Sequence, residues 1–210
     1  MRSYGHHCAL AKALDVIGDR WTLLIVRELM MRDGCRYTDL RNGLPGIATN
    51  LLAARIDELE RAGVVAREPA PPPVATTLFR LTSRGRELEP VVAALGRWGA
   101  PLLAKGRGKS VFRDHWVMLP LRLYVRDRFP AEPPIRIGLR AGHELVTLDT
   151  VGDGSVSVRS GKTGSANAQV EGTPQQILAL LSHKVSLADA RANGLRFDGD
   201  RKVLRRLAAK

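Results

Sequence analysis

The chain of 210 residues holds two cysteines, Cys8 and Cys35, and no apolar run near the ~18–20 residues that a membrane-spanning helix requires. Two cysteines cannot build a disulfide framework, so a reducing cytoplasm is the expected compartment and no membrane partner is expected. The opening "MRSYGHHCALAKALDVIGDRW" lacks the apolar core and small-residue cleavage site of a secretory leader. Catalytic motifs are missing too: no phosphate loop, no nucleophile–base signature and no paired carboxylates, so no enzyme is expected. His6, His7, His115, His143 and His183 are scattered, and neither a metal site nor a cofactor is expected.

Positive charge is what the chain has in excess. Its 33 Lys+Arg against 21 Asp+Glu give a net +12 and a pI near 10.6, a balance that favours polyanions, nucleic acid first. Residues 1–103 carry 14 basic and 11 acidic side chains, a net +3, whereas residues 104–210 carry 19 and 10, a net +9. Overall charge therefore supports a nucleic-acid partner without locating the contact.

Helical periodicity organises the first hundred residues. "CALAKALDVIGDRW" repeats apolar residues at Leu10, Leu14 and Ile17 and stops at Gly18. "WTLLIVRELMM" follows, with Asp19 as a candidate N-cap; Leu24, Val26, Leu29 and Met30 make it apolar on most sides. "RYTDLRNGL" predicts a short third helix broken by Gly43 and Pro45. A fourth spans 49–61, with Leu52, Ile56 and Leu59 on a core stripe and Gly63 just past its end. "VVAREPAPPPVATTLFRLT" reads as strands at 64–68 and 77–82 around a tip of prolines, which cannot donate to a ladder. "SRGRELEPVVAALGRWGAPLL" returns to helix, with the stripe Leu88, Val91, Val92, Leu95 and Trp98.

Helix, loop, helix and hairpin is the layout of a winged helix-turn-helix, whose second helix enters the major groove N-terminal end first. The charges of the fourth helix fit that use. Residues 47–55 include one base and no acid, whereas 56–60 include Asp57, Glu58 and Glu60. Carboxylates facing phosphates would be repelled, and the helix dipole adds positive potential at the acid-free end.

The stretches "GDRWTLLIVREL", "RYTDLRNGLPGI", "LLAARIDELERAGVVAR" and "FRLTSRGRELEPVVAALGRWG" resemble the HxlR-type transcription regulators, relatives of the MarR group, over roughly residues 5–103. The resemblance implies a homodimeric winged-helix repressor or activator that binds a pseudo-palindromic double-stranded DNA operator. The family often has Ser as N-cap where this chain has Ala48, so Thr49 or Asn50 is expected to cap instead. The base-reading face is then Thr49, Asn50, Ala53 and Ala54: Asn bonds adenine, and the Ala and Thr methyls meet thymine methyls. Arg55 reaches a phosphate or pairs with Asp57 or Glu58; the sequence leaves both open. Arg36, Tyr37, Thr38 and Arg41 are candidate phosphate contacts that fix register, and Arg67 and Arg80 are candidates on the wing. Family members commonly place a Cys where Cys8 stands, and in some it senses oxidants. A thiol at a helix start beside His6 and His7 would be acidified; the alternative is a small side chain at a dimer contact.

"KGRGKS" at 105–110 reads as a joint. "FRDHWVMLPLRLYVRDRF" predicts a helix with Phe112, Trp116, Leu119 and Leu123 on one side and a kink at Pro120. "PPIRIGLR", "ELVTLDTV", "SVSVRS" and "NAQVEG" predict a four-stranded antiparallel meander. Thr173 caps a helix with Pro174 at its first position, and a short turn, a strand and a final helix capped by Asp200 follow. This order, with "VEGTPQQILALLSHKVSLADARANGLRFDGDRKVLRRL", resembles the sterol-carrier-protein-like domain over about residues 110–208. The resemblance implies an apolar tunnel for a small apolar or aromatic effector, with Trp116, Leu119, Leu123, Ile177, Leu178 and Leu181 as candidate lining; the alternative is that they fill the core. The expected architecture is α+β: a winged helix-turn-helix domain at 1–104, a linker at 105–111 and an α/β sterol-carrier-like domain at 112–210. The expected function is that of a cytoplasmic, effector-controlled transcription regulator. Its rivals are a regulator switched through Cys8 and a lipid carrier whose helix-turn-helix does not bind DNA.

Overall fold

The computed structural model describes residues 3–32, 34–70, 75–105 and 108–209, and the chain divides into two units, Met1–Val111 and Phe112–Lys210. The anticipated joint at 105–111 falls at the end of the first unit, with 106 and 107 outside the described residues.

The first unit runs α1 (Ala9–Ile17), α2 (Thr22–Met31), α3 (Tyr37–Gly43), α4 (Thr49–Arg61), β1 (Val65–Pro69), β2 (Thr77–Leu81), α5 (Ser83–Arg86), α6 (Glu89–Gly99) and a 3-10 turn at Ala100–Lys105. Leu52, Ile56 and Leu59 of α4 are buried as their spacing demands, against a core that includes Ile25, Val26 and Leu29 of α2 and Leu40 of α3. β1 and β2 form the antiparallel wing from Val65↔Leu81 to Pro69↔Thr77. Pro69 thus belongs to the strand, not the tip. The next residue, Ala70, donates its N–H to the Thr76 carbonyl (2.8 Å), so Pro69 stands where the ladder asks for no donor. Pro71, Pro72 and Pro73 of the tip lie outside the described residues. On the far side of β2, Cys35 and Phe79 exchange backbone bonds of 3.0 and 2.8 Å.

Three expectations for this unit need correction. Trp21, in the left-handed region at φ 80°, takes the N-cap position of α2, and Asp19 does not cap it. On α1, Ile17 is buried but Leu10 is 68% exposed. On α6, only Val92 and Ala93 are buried; Val91, Leu95 and Trp98 of the expected core stripe are exposed, Trp98 at 76%. Their apolar face is left exposed among the described residues.

The second unit opens with a 3-10 turn at Asp114–Val117 that runs into α7 (Met118–Tyr124), followed by β3 (Val125–Asp127). The long helix expected from Phe112 to Phe129 is therefore cut short. Pro120 falls in the first turn of α7, where a missing amide removes no helical bond, so it causes no kink. Then come β4 (Arg136–Ala141), β5 (Glu144–Thr150), β6 (Val156–Ser160), β7 (Ala168–Gly172), α8 (Pro174–Leu181), α9 (Leu187–Ala192), β8 (Arg196–Gly199), α10 (Lys202–Arg206) and β9 (Leu207–Ala209). Thr173 caps α8 as expected: its Oγ accepts the Gln176 amide at 3.2 Å, and Gln176 Oε1 accepts the Thr173 amide at 2.8 Å.

The expected meander is only partly present. β4, β5 and β6 are antiparallel neighbours, but β7 crosses back to pair parallel with β4, and β8 adds antiparallel to β7, giving the order β6-β5-β4-β7-β8. Burial explains the placement. Ile137, Leu139 and Ala141 of β4 are at most 2% exposed, which a strand with neighbours on both sides achieves more readily than an edge strand. α7 covers β6 and α8 covers β4 and β7, enclosing Met118, Leu121, Val146, Leu148, Val170, Ile177 and Leu181.

A charged pair is buried where β3 pairs with β9. Arg206 Nε donates to Asp127 Oδ1 at 3.1 Å, its Nη2 bonds Oδ2, and the Phe129 amide donates to Oδ1 at 3.0 Å. Burial alone would raise the Asp127 pKa, but Arg206 and the Phe129 amide overcome it and hold the carboxyl below its ordinary value. A depressed folded-state pKa contributes stability above the unfolded value of about 3.9, and that contribution fades as pH falls below it. Asp127→Asn leaves the buried Arg206 guanidinium only the exposed Glu132 at 3.7 Å and the Pro133 and Phe129 carbonyls, and is expected to destabilise the unit by ~2–4 kcal/mol at neutral pH. In urea denaturation the gap from the wild type should narrow below pH 4. A variant as stable as wild type at pH 7 would show that the pair is dispensable.

Candidate nucleic-acid interface

The turn before α4 sets where that helix begins. Gly46 sits at φ 91°, a conformation that L side chains rarely adopt, and Ile47 is buried just after it. Tyr37, half-buried at the start of α3, donates its hydroxyl to the Thr49 carbonyl at 2.7 Å and so ties the starts of the two helices together. That hydroxyl proton is thereby used within the protein. Around it Arg36, Thr38 and Arg41 are exposed. Arg36 also donates its amide to Asp39 Oδ2 at 2.9 Å, which fixes the first turn of α3.

Ala48 itself occupies the N-cap position of α4, and no side chain caps the helix. Neither Thr49 nor Asn50 replaces it, which corrects the expectation. Asn50 Oδ1 accepts only its neighbour's amide, Leu51 N–H, at 2.9 Å. Thr49, Asn50, Ala53 and Ala54 are all exposed. The result is a small, uncharged surface at the positive end of a thirteen-residue helix.

The basic residues nearby are differently placed. Arg55 is half-buried and bonded to both Asp19 and Glu58, so of its two readings the ion pair describes it, with Asp19 in place of Asp57. Arg67 of β1 bonds Asp57, reaches Glu60 Oε2 with its Nε at 2.8 Å, and lies over the Phe79 ring at 5.5 Å. Arg80 of β2 pairs with Glu68 at 2.8 Å. The acids crowded into the second half of α4 are thus fastening points: Glu58 holds Arg55 with the loop before α2, and Asp57 and Glu60 hold the wing. Sequence reasoning missed this role. The available signal was the spacing of Asp57 and Glu60, one turn apart on a face that a strand arginine can reach.

Cys8 is exposed and immediately precedes α1. The Ala11 amide, then the Leu10 amide, at the open helix start hold its thiol below the ordinary value. Burial instead pushes the Cys35 thiol up to about 12, leaving it inert. Among the described residues no three His, Cys, Asp or Glu side chains gather as metal ligands, and no helix is long and apolar enough to cross a membrane.

In the second unit the candidate lining divides. Ile177 and Leu181 are fully buried and Leu123 is 6% exposed, all three in the closed core; Trp116, Leu119 and Leu178 are half-buried. The Trp116 ring meets Phe112 edge-on at 5.9 Å.

A helix pair followed by a two-stranded wing, with an acid-free exposed helix start, is the arrangement of winged-helix DNA-binding proteins. Residues 16–106 match the HxlR-like helix-turn-helix family. The uncharacterized HTH-type transcriptional regulator sll1512 of Synechocystis sp. is 35% identical over 100 residues, covering 47% of this chain and 73% of that protein. The uncharacterized HTH-type transcriptional regulator YvaP of Bacillus subtilis is 32% identical over 87 residues, covering 41% of this chain and 80% of its own. Among solved structures, the redox regulator HypR in its oxidized form is 32% identical, covering 45% of this chain and 96% of that one, with a TM-score of 0.40. The chain belongs to the HxlR-like family of helix-turn-helix transcriptional regulators.

The fastening of Arg67 has a consequence for DNA binding. Arg67→Ala is expected to speed amide exchange in β1 while leaving the salt dependence of DNA affinity unchanged, because its guanidinium is engaged by Asp57 and Glu60. A salt slope that falls by about one on this substitution would make Arg67 a phosphate contact instead.

Proposed function

We propose that this regulator reads a double-stranded operator as a homodimer through the first turns of α4, with Thr49, Asn50, Ala53 and Ala54 at the base edges and Arg36, Thr38 and Arg41 on phosphates. The observation that carries the reading is the exposed, acid-free start of α4, held in place by Tyr37 and by its buried stripe. Self-association is supported by the uncovered apolar side chains Leu10, Leu95, Trp98, Leu102 and Leu103, the last 79% exposed, on α1, α6 and the turn after it. A two-fold dimer accounts for a pseudo-palindromic site. For the second unit we propose effector binding. A sterol-carrier-like sequence and the half-buried Trp116, Leu119 and Leu178 support a small apolar or aromatic molecule as the ligand.

Asn50→Ala tests the base-reading role. It is expected to weaken operator binding by ~1–3 kcal/mol while sparing scrambled duplex at the same salt concentration. Equal losses on both duplexes would assign Asn50 to positioning or folding.

A second reading rests on Cys8. An exposed thiol with a lowered pKa is open to oxidants, and a switch there would act through the neighbouring α1. On that reading Cys8→Ser keeps DNA binding and loses any response to a mild thiol oxidant in a gel shift. A wild-type protein indifferent to the oxidant removes it.

A further inference from the structure

The face of the five-stranded sheet turned away from α7 and α8 has a chemistry that neither reading above uses. Alternation along β4 turns Ile137, Leu139 and Ala141 into the core and Arg136, Gly138 and Arg140 outward. Register then aligns two outward rows across neighbouring strands. One is Leu145, Arg140, Glu171 and Arg196; the other is Thr147, Gly138, Gln169 and Asp198. The crossover between β6 and β7 roofs one side: Thr163 bonds the Thr147 hydroxyl at 2.7 Å, and Lys162 comes with it. Leu145, Arg140, Glu171 and Arg196 of the first row, Gln169 and Asp198 of the second, and Lys162 and Thr163 bound a cleft of about 420 Å³, a size that small-molecule sites commonly have.

Two features distinguish this cleft from a merely solvated face. The first is the seat of Gln169, one of its lining residues. Gly138 stands in the middle of a central strand, where glycine is unfavourable by ~0.5–1 kcal/mol relative to alanine. A Cβ there would overlap the Gln169 amide, so the glycine lets that amide lie flat across the sheet. The second is the state of its cations. Elsewhere on the same face Arg136, opposite Asp149, and Arg159, opposite Thr147, both bond Asp149. In the cleft, Arg196 approaches Glu171 only at 3.8 Å, and Arg140 and Lys162 have no ion pair among the described residues. Three cations thus face two carboxylates, Glu171 and Asp198, around an amide that both donates and accepts.

We propose that this cleft binds a small oxyanion, a carboxylate or a phosphate, with Arg140 and Lys162 holding the charge and Gln169 the adjacent polar group. The apolar effector considered above would leave the charges of Arg140 and Lys162 unpaired here. The cleft lies on the other face of the sheet from the candidate tunnel residues, so the two sites stand or fall separately. Charge-assisted bonds from an arginine fork and a lysine are the strong contacts available to such a ligand.

The test titrates the isotope-labelled full chain with inorganic phosphate and, separately, with citrate, against sodium chloride of matched ionic strength. Saturable amide shifts are expected at residues 138–140, 162–163 and 169–171. The dissociation constant should rise at least ~10-fold in Arg140→Ala and in Lys162→Ala, the size expected for losing one charge-assisted bond. Arg205→Ala, an exposed arginine outside the cleft, should leave it unchanged. Response to one anion alone identifies the group the cleft prefers. Shifts that follow ionic strength only, shifts that map elsewhere, or equal weakening in Arg205→Ala would overturn the proposal. DNA affinity does not enter the readout, so failure here leaves the operator reading untouched.

Discussion

The burial of Leu52, Ile56 and Leu59 on one side of α4 decides what the first unit can present to a partner. Each contributes roughly 1.5–3 kcal/mol, and the three together approach the net stability of a small domain. Rotating the helix to expose any of them is therefore excluded. With that side fixed, the opposite side must carry Thr49, Asn50 and Ala53 outward, at the end where the helix dipole is positive. On the proposed reading, the surface offered to DNA follows from the surface that faces the core.

Charge then finishes what apolar packing begins. The acids of α4 sit in its second half and are taken up by Arg55 and Arg67, which bring the loop before α2 and the wing against the same helix. These are exposed or half-exposed pairs, each worth little in stability. Their effect is to orient. A wing free to swing would meet the DNA backbone in many poses, and the cation over the Phe79 ring adds a further restraint on β1.

Much of this was legible in the sequence because helices advertise themselves through local periodicity. The α4 stripe, the Thr173 cap and the two wing strands depend on residues a few positions apart. What was not legible depends on partners far along the chain or outside it. Val91, Leu95 and Trp98 have the spacing of a core stripe and are exposed, since periodicity reports that a face is apolar and not what covers it. The pairing of β7 with β4 instead of β6 is a long-range choice, and an alternating strand looks the same beside either neighbour. Arg55 stayed open between a phosphate and an ion pair, and Arg67 read as a candidate contact on the wing, because a surface arginine is defined by its partner, and Asp19 lies 36 residues before Arg55.

In the second unit the same limit separates core from cavity. Ile177 and Leu181 were candidates for a tunnel wall and are closed interior, while the outward rows of the sheet gather uncommitted cations that no motif announced. In the first unit, the proposed role of α4 is sequence recognition by its first turns. It is tested most directly by selecting duplexes from a random-sequence pool with the full chain and mapping the selected duplex on the isotope-labelled protein by amide shifts. The account predicts enrichment of a two-fold related sequence and shifts concentrated at residues 36–41 and 48–54. No enrichment, or shifts confined to residues 112–209, would contradict it.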